Sequence, residues 1–202
     1  GSPEYGDYVK LVDINGDGFL DRVLRANSAP YTYFDVQLGT GTGFGAVTKW
    51  TGVTSPYLYD PGWNTIDNGT FIRFLDINGD KLLDRVVTAT NGTYDHFDVQ
   101  INNGKGFNAT TRWNGVNSNG NSYTWGIPSY TDYATLIDIN GDGLIDRVMR
   151  AFNYQYDHYE VQLNNGTGFD AVVKWTGLAS NGNNWYWGGV ENDYLKLIDM
   201  NG

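Results

Sequence analysis

Cysteine is absent, so neither a disulfide framework nor thiol chemistry is available to this chain. No stretch of eighteen apolar residues occurs, which excludes a membrane-spanning helix. Basic residues are few: Lys and Arg total 13 against 23 Asp and Glu, for a net charge of −10. They are scattered along the chain. A phosphate-binding face needs them clustered, so nucleic acid is excluded as a partner. There is no Gly-x-Ser-x-Gly, no phosphate loop and no His-Glu-x-x-His. No window carries an amphipathic helix of useful length.

What is present points to short strands and tight turns. The 202 residues suffice for a substantial core. Gly, at 27 residues, is roughly twice its average share of about 7%. Aromatics are plentiful, with 15 Tyr, 9 Phe and 7 Trp, which a disordered chain would lack.

The acidity concentrates in one repeated stretch. Asp13, Asn15, Asp17 and Asp21 place side-chain oxygens at its first, third, fifth and ninth positions, and Phe19 offers a backbone carbonyl at the seventh. Three carboxylates this close repel one another unless a cation sits among them. A hard divalent ion taking six to eight oxygens is the natural occupant. Gly18 permits the sharp backbone turn. The pattern returns as Asp76, Asn78, Asp80, Leu82 and Asp84, and as Asp138, Asn140, Asp142, Leu144 and Asp146. It begins again at Asp199. About three Ca²⁺ sites are therefore expected, and bound calcium would cancel much of the negative charge.

The first half of the loop resembles an EF-hand, but position 12 holds Leu24, Val87 and Met149 instead of a bidentate Glu. With its ninth-position Asp and β-like flanks, the loop instead resembles the calcium loops of FG-GAP and VCBS repeats, as in integrin α-subunit β-propellers. That resemblance covers nearly the whole chain. It implies blades of four antiparallel strands stabilised by calcium.

The spacing agrees. Asp13 to Trp50, Asp76 to Trp113 and Asp138 to Trp175 each span 37 residues, and all length variation falls between those blocks. A rigid unit joined by a variable loop suits a repeat array. Each block reads as four strands: one before the loop (Tyr8–Val12), one after it (Arg22–Ala26), a third over Tyr33–Leu38 and a last one ending at Trp50. A Gly-x-Gly-Phe turn, as in Gly41 to Phe44, precedes the last strand. The expectation is thus an all-β fold of β-propeller-type blades, three repeats plus the first strand of a fourth. The blades are residues 7–50, 70–113 and 132–175, with 193–202 the partial fourth. The connectors are 51–69, 114–131 and 176–192. Propellers typically have four to eight blades. Either further blades of a parent chain or self-association would close the ring, and a fragment of a larger propeller is the favoured reading.

No active site is legible. His96 and His158 occupy equivalent positions, and Asp95 and Asp157 precede them, but adjacent strand residues point to opposite faces. Blade packing is the expected role of both. Arg22, Arg85 and Arg147 follow the ninth-position Asp and are expected to pair with a carboxylate of a neighbouring strand or blade. Trp50, Trp113 and Trp175 are expected to pack between blades.

The connectors hold Trp63, Tyr123, Trp125, Trp185, Tyr186 and Trp187 among Asn, Ser and Gly. Flat rings beside amides and hydroxyls suit sugar recognition. Some propeller lectins that resemble this family bind sugars between blades. The expected function is a non-enzymatic, calcium-stabilised propeller segment that binds carbohydrate or glycoprotein, lectin-like, outside the cell or at its surface. The other class is a structural or assembly domain of a larger secreted surface protein, toxin complex or filament. Blocks such as Val161 to Phe169 also look like repeats of bacterial toxin-complex subunits.

Overall fold

Alternating apolar residues broken by Gly-rich turns give twelve short strands in the computed structural model, which describes residues 8–28, 30–54, 71–89, 92–119, 126, 133–152, 156–179, 190 and 197. The first four are β1 (Val9–Val12), β2 (Asp21–Arg25), β3 (Tyr33–Gln37) and β4 (Thr48–Thr51). The second repeat supplies β5 (Ile72–Leu75), β6 (Asp84–Thr88), β7 (His96–Gln100) and β8 (Thr111–Asn114). The third supplies β9 (Ala134–Ile137), β10 (Asp146–Arg150), β11 (His158–Gln162) and β12 (Val173–Thr176). Each set forms one antiparallel sheet with its strands in chain order. The fold is all-β, and the four-strand repeat read from the sequence is present three times. The partial fourth strand at 193–202 lies outside the described residues, apart from Leu197.

Register follows from the pleat. Val23 sits opposite Val36 and Arg22 opposite Gln37, so one face of the first sheet is apolar and the other carries the Arg–Gln pair. The third sheet repeats this, with Val148 opposite Val161 and Arg147 opposite Gln162.

Two compact units divide the chain. The first is residues 1–87 and 98–112; the second is 88–97 and 113–202. In the first, Ile14, Val23, Phe34, Val36, Trp50, Val53, Phe74 and Phe107 form one buried cluster. Phe107 meets Phe34 edge-on at 5.9 Å and Trp50 at 6.4 Å. Such ring pairs add about 0.5–1.5 kcal/mol each beyond their burial. In the second, Val148, Tyr159, Val161 and Val190 form the core, with Leu178 and Leu197 packed against it. Phe169 lies 5.7 Å from Phe97 and 6.4 Å from Trp113.

Units and repeats do not coincide, because each repeat ends in a strip that docks on the next. After β4, Trp50 to Thr54 leaves its own sheet and binds second-repeat residues of the first unit. Thr51 bridges Gly106 in parallel, and Phe107 N–H donates to Thr51 O at 2.9 Å. After β8, Asn114 bridges Gly168, and Phe169 N–H donates to Asn114 O at 3.0 Å within the second unit. Gly52 and Gly115 hold φ of +90° and +92°. A Cβ on either would collide with the carbonyl of Phe107 or Phe169. Only Gly tolerates both demands.

Candidate metal loops and the clasp beneath them

The three Asp loops join the first two strands of each sheet and close on themselves in the same way. In the first, the Asp17 N–H is shared by Asp13 Oδ1 and Asn15 Oδ1, each at 3.1 Å. Gly18 N–H donates to Asp13 Oδ2 at 2.8 Å, and Phe19 N–H to Asp17 Oδ1 at 2.8 Å. The second loop repeats the shared donor at Asp80. The third repeats it at Asp142. Two side-chain oxygens are thereby held on one amide at the solvent side of each loop.

The ninth-position carboxylates sit differently. Asp21, Asp84 and Asp146 are buried. Asp21 accepts from Ile14 N–H at 3.0 Å and from Gly39 N–H at 2.7 Å. Asp84 accepts from Ile77 N–H and Asn102 N–H, and Asp146 from Ile139 N–H and Asn164 N–H. Each therefore ties the loop to the turn after the third strand. Burial pushes Asp84 up to about 7, with Asp80 and Asp76 adding repulsion and the two amides opposing it. Burial likewise raises Asp146.

The donor chemistry of each loop, carboxylates and amide oxygens with no nitrogen or sulfur, fits a hard cation. Among the described residues, however, no group of three or more Asp, Glu, His or Cys side chains is gathered so that it could hold a metal ion. Asp13, Asn15 and Asp17 share amides of one loop, as do their equivalents, while the ninth-position Asp is engaged beneath them. The carbonyls of Phe19, Leu82 and Leu144 accept no hydrogen bond recorded within the loops.

The second loop departs at one position. Lys81 stands where Gly18 and Gly143 stand, and it takes φ of +72° where they take +89° and +88°. Nothing lies within 4 Å of a Cβ built at Gly18 or Gly143, so a side chain fits and only the backbone is strained. A left-handed non-Gly residue costs about 1–2 kcal/mol, part of which Gly returns through its freer unfolded chain. Lys81→Gly should therefore raise stability by about 1 kcal/mol in urea unfolding. It should also tighten calcium at what is expected to be the weakest of the three loops in calorimetric titration. A second loop already tightest in the wild type would refute the ranking.

The Arg after each loop does not pair with a carboxylate, contrary to expectation. Arg22, Arg85 and Arg147 each direct Nη1 to a Gln oxygen across the sheet: Gln37 at 2.9 Å, Gln100 at 3.1 Å and Gln162 at 3.0 Å. An amide suits this position because it accepts from Arg and also donates to a carbonyl. Gln100 donates to Gly52 O and Gln162 to Gly115 O, while Thr54 N–H and Asn117 N–H donate back to the Gln oxygens. Arg85 and Arg147 donate to Thr54 O at 2.6 Å and Asn117 O at 3.0 Å. Each clasp grips the strip arriving from the repeat before. Burial lowers Arg85 to about 10 and Arg147 to about 9, and both remain cationic at neutral pH. A signal was available: the Gln recurs beside the third strand's Val in every repeat.

The histidines also depart from expectation. His158 Nδ1 lies 2.6 Å from Asp157 Oδ1, and Nε2 lies 3.1 Å from Glu160 Oε1. His96 pairs with Asp95 at 2.6 Å. Strand alternation does not separate them, because β7 and β11 begin at the His and the Asp lies in the segment before it. The His158 bond holds Asp157 below the usual carboxylate range. With both ring nitrogens engaged, buried His158 has none left for a substrate.

Another recurrent feature has no sequence signal. Tyr31, Tyr94 and Tyr156 all take positive φ, at 53°, 52° and 51°. Arg25 stacks between Tyr8 and Tyr31, and Arg150 between Tyr133 and Tyr156. These contacts fasten the ends of the sheets opposite the loops.

Trp50 and Trp113 are buried as expected, at 3% and 4% exposure, but Trp175 is 37% exposed. The connector residues Trp63, Tyr123, Trp125, Trp185, Tyr186 and Trp187 lie outside the described residues. No protein-family model matches the chain, and no curated protein sequence matches it. No described helix is long and apolar enough to cross a membrane.

Proposed function

We propose that this chain is a calcium-stabilised, non-enzymatic array of propeller-type blades that acts outside the cell and binds carbohydrate through its connectors. The observation that carries the calcium part is the identical closure of three all-oxygen loops, each placing a carboxylate and an amide oxygen on one shared N–H. Asp13, Asn15, Asp17 and Asp21, the carbonyl of Phe19, and their equivalents in the other loops would hold the ion. A bound cation supplies positive charge among carboxylates that otherwise repel. The engaged ring of His158 supports the non-enzymatic part.

The carbohydrate part rests on the composition of the connectors. If they bind sugar, Trp125→Ala and Trp187→Ala should abolish binding on a glycan array with melting nearly unchanged. If the rings are core, each substitution should cost about 3–5 kcal/mol. A large stability loss with no glycan signal from the parent protein would overturn the lectin reading.

A second reading, a structural or assembly domain of a larger surface protein, toxin complex or filament, is favoured by the strip-and-clasp junction. It occurs twice within the chain, and a scaffold of repeats needs such a joint. A silent glycan array would favour it.

A further inference from the structure

We propose that the Gly41-Thr42-Gly43-Phe44 turn of the first repeat and the Trp175-Thr176-Gly177-Leu178 strip of the third are two halves of one joint, through which copies of this chain associate head to tail. This rests on the assembly reading and not on calcium or sugar.

The joint is already built twice. At both internal junctions a Trp-(Thr/Asn)-Gly-Val strip lies along a Gly-x-Gly-Phe turn, and the Phe is 5% exposed at each, as Phe107 and as Phe169. The equivalent Phe44 is 48% exposed. Val47, equivalent to Thr110, whose hydroxyl meets that of Thr54 at the first junction, is also exposed.

Beneath this turn the clasp is preformed. Arg22 donates to Gln37, and Gln37 donates to Gly45 O at 3.1 Å, as Gln162 does to Asp170 O. Arg22 and Gln37 stay only half-buried, and among the described residues no strip docks on them as Gly52–Thr54 and Gly115–Asn117 dock on their counterparts.

The third strip has the other half. Leu178 N–H donates to Asp157 O at 3.3 Å, as Val53 donates to Thr32 O and Val116 to Asp95 O, so the strip is held as its counterparts are. Gly177 keeps the same backbone, φ +99°, yet nothing lies within 4 Å of a Cβ built there. Leu197 packs on the core behind the strip, while Trp175 and Val173 remain exposed. Two surfaces that fit each other's counterparts, on one chain and facing outward, define a heterologous interface. The occupant is a second copy, because the chain itself carries the complement of each half.

The test is sedimentation velocity of the full chain over a concentration series, with melting curves as a fold control. The wild type should show mass rising with concentration. Phe44→Asp blocks the head, with Val47→Glu as a second head variant should the first fail to fold. Trp175→Ala weakens the tail. Each should shift the protein toward monomer with melting nearly unchanged. Mixing a head variant with the tail variant should restore a dimer of about twice the monomer mass, because one good head and one good tail remain. A wild type monomeric throughout would overturn the proposal, as would association that survives both substitutions or a mixture that stays monomeric. A monomer silent on the glycan array would overturn self-docking and leave the scaffold reading standing.

Discussion

Stripping calcium should lower the melting temperature sharply. Extracellular calcium modules commonly bind at about 10⁻⁴–10⁻³ M. At free calcium about 100 times the dissociation constant, one site adds about 2.7 kcal/mol. Three independent sites would add about 8 kcal/mol, against a whole domain's stability of roughly 5–15 kcal/mol. The loops make so large an effect plausible on physical grounds, because each crowds three carboxylates at the hairpin between the first two strands. Asp84 registers that crowding: burial pushes it up to about 7, and Asp80 and Asp76 add to the shift.

Asp17→Ala and Asp142→Ala should each reproduce part of the loss. Both side chains also accept a loop amide, Phe19 N–H and Leu144 N–H, so part of their cost should persist in chelator. The calcium-dependent part is the difference between melting with excess chelator and with added Ca²⁺. A melting temperature that ignores calcium would remove the metal reading and the extracellular assignment that rests on it.

The strands were legible because their signals are local. Alternation in Tyr33 to Gln37 and the Gly turns after it specify a strand without knowledge of anything distant. The positive φ expected at the sixth loop position was legible from Gly18 and Gly143, and Lys81 adopts it despite its Cβ. The clasp was not legible in this way. Arg147 and Gln162 face each other only once β10 and β11 are in register, and the strip they grip comes from 45 residues away along the chain.

The same limit explains the Asp–His pairs, where one residue of strand boundary decides whether alternation applies to Asp157. Trp175 shows a further limit. The sequence repeats its residue type, but burial depends on a following Gly-x-Gly-Phe turn, which the first two Trp residues have in Phe107 and Phe169. Periodicity identifies equivalent positions, whereas the neighbour each position meets is a property of the assembled repeats.

The clasp makes the other large effect computable from equivalent residues in different surroundings. Gln162→Ala removes four hydrogen bonds: Nε2 to Gly115 O at 2.5 Å and to Asp170 O at 2.8 Å, and Oε1 from Asn117 N–H at 2.9 Å and from Arg147 at 3.0 Å. Arg147 is buried, and its Nε and Nη2 already have no hydrogen-bond partner. Loss of Gln162 leaves the guanidinium Asn117 O as its remaining oxygen acceptor among these contacts. Breaking a buried charged pairing of this kind costs about 3–5 kcal/mol, much of it the stranded charge. Gln37→Ala removes the bond from Arg22 and the bond to Gly45 O, but the site is half-exposed and water can replace both. Its expected cost is about 1 kcal/mol or less. Arg147→Met in the Gln162→Ala background should recover part of the loss, because it removes the unpaired charge and fills similar volume. Urea unfolding of the four variants, with slopes compared as well as midpoints, measures all of this. Equal losses at positions 37 and 162 would mean that the docked strip adds nothing to the clasp, and the junctions would then have to be held by Phe107 and Phe169 alone.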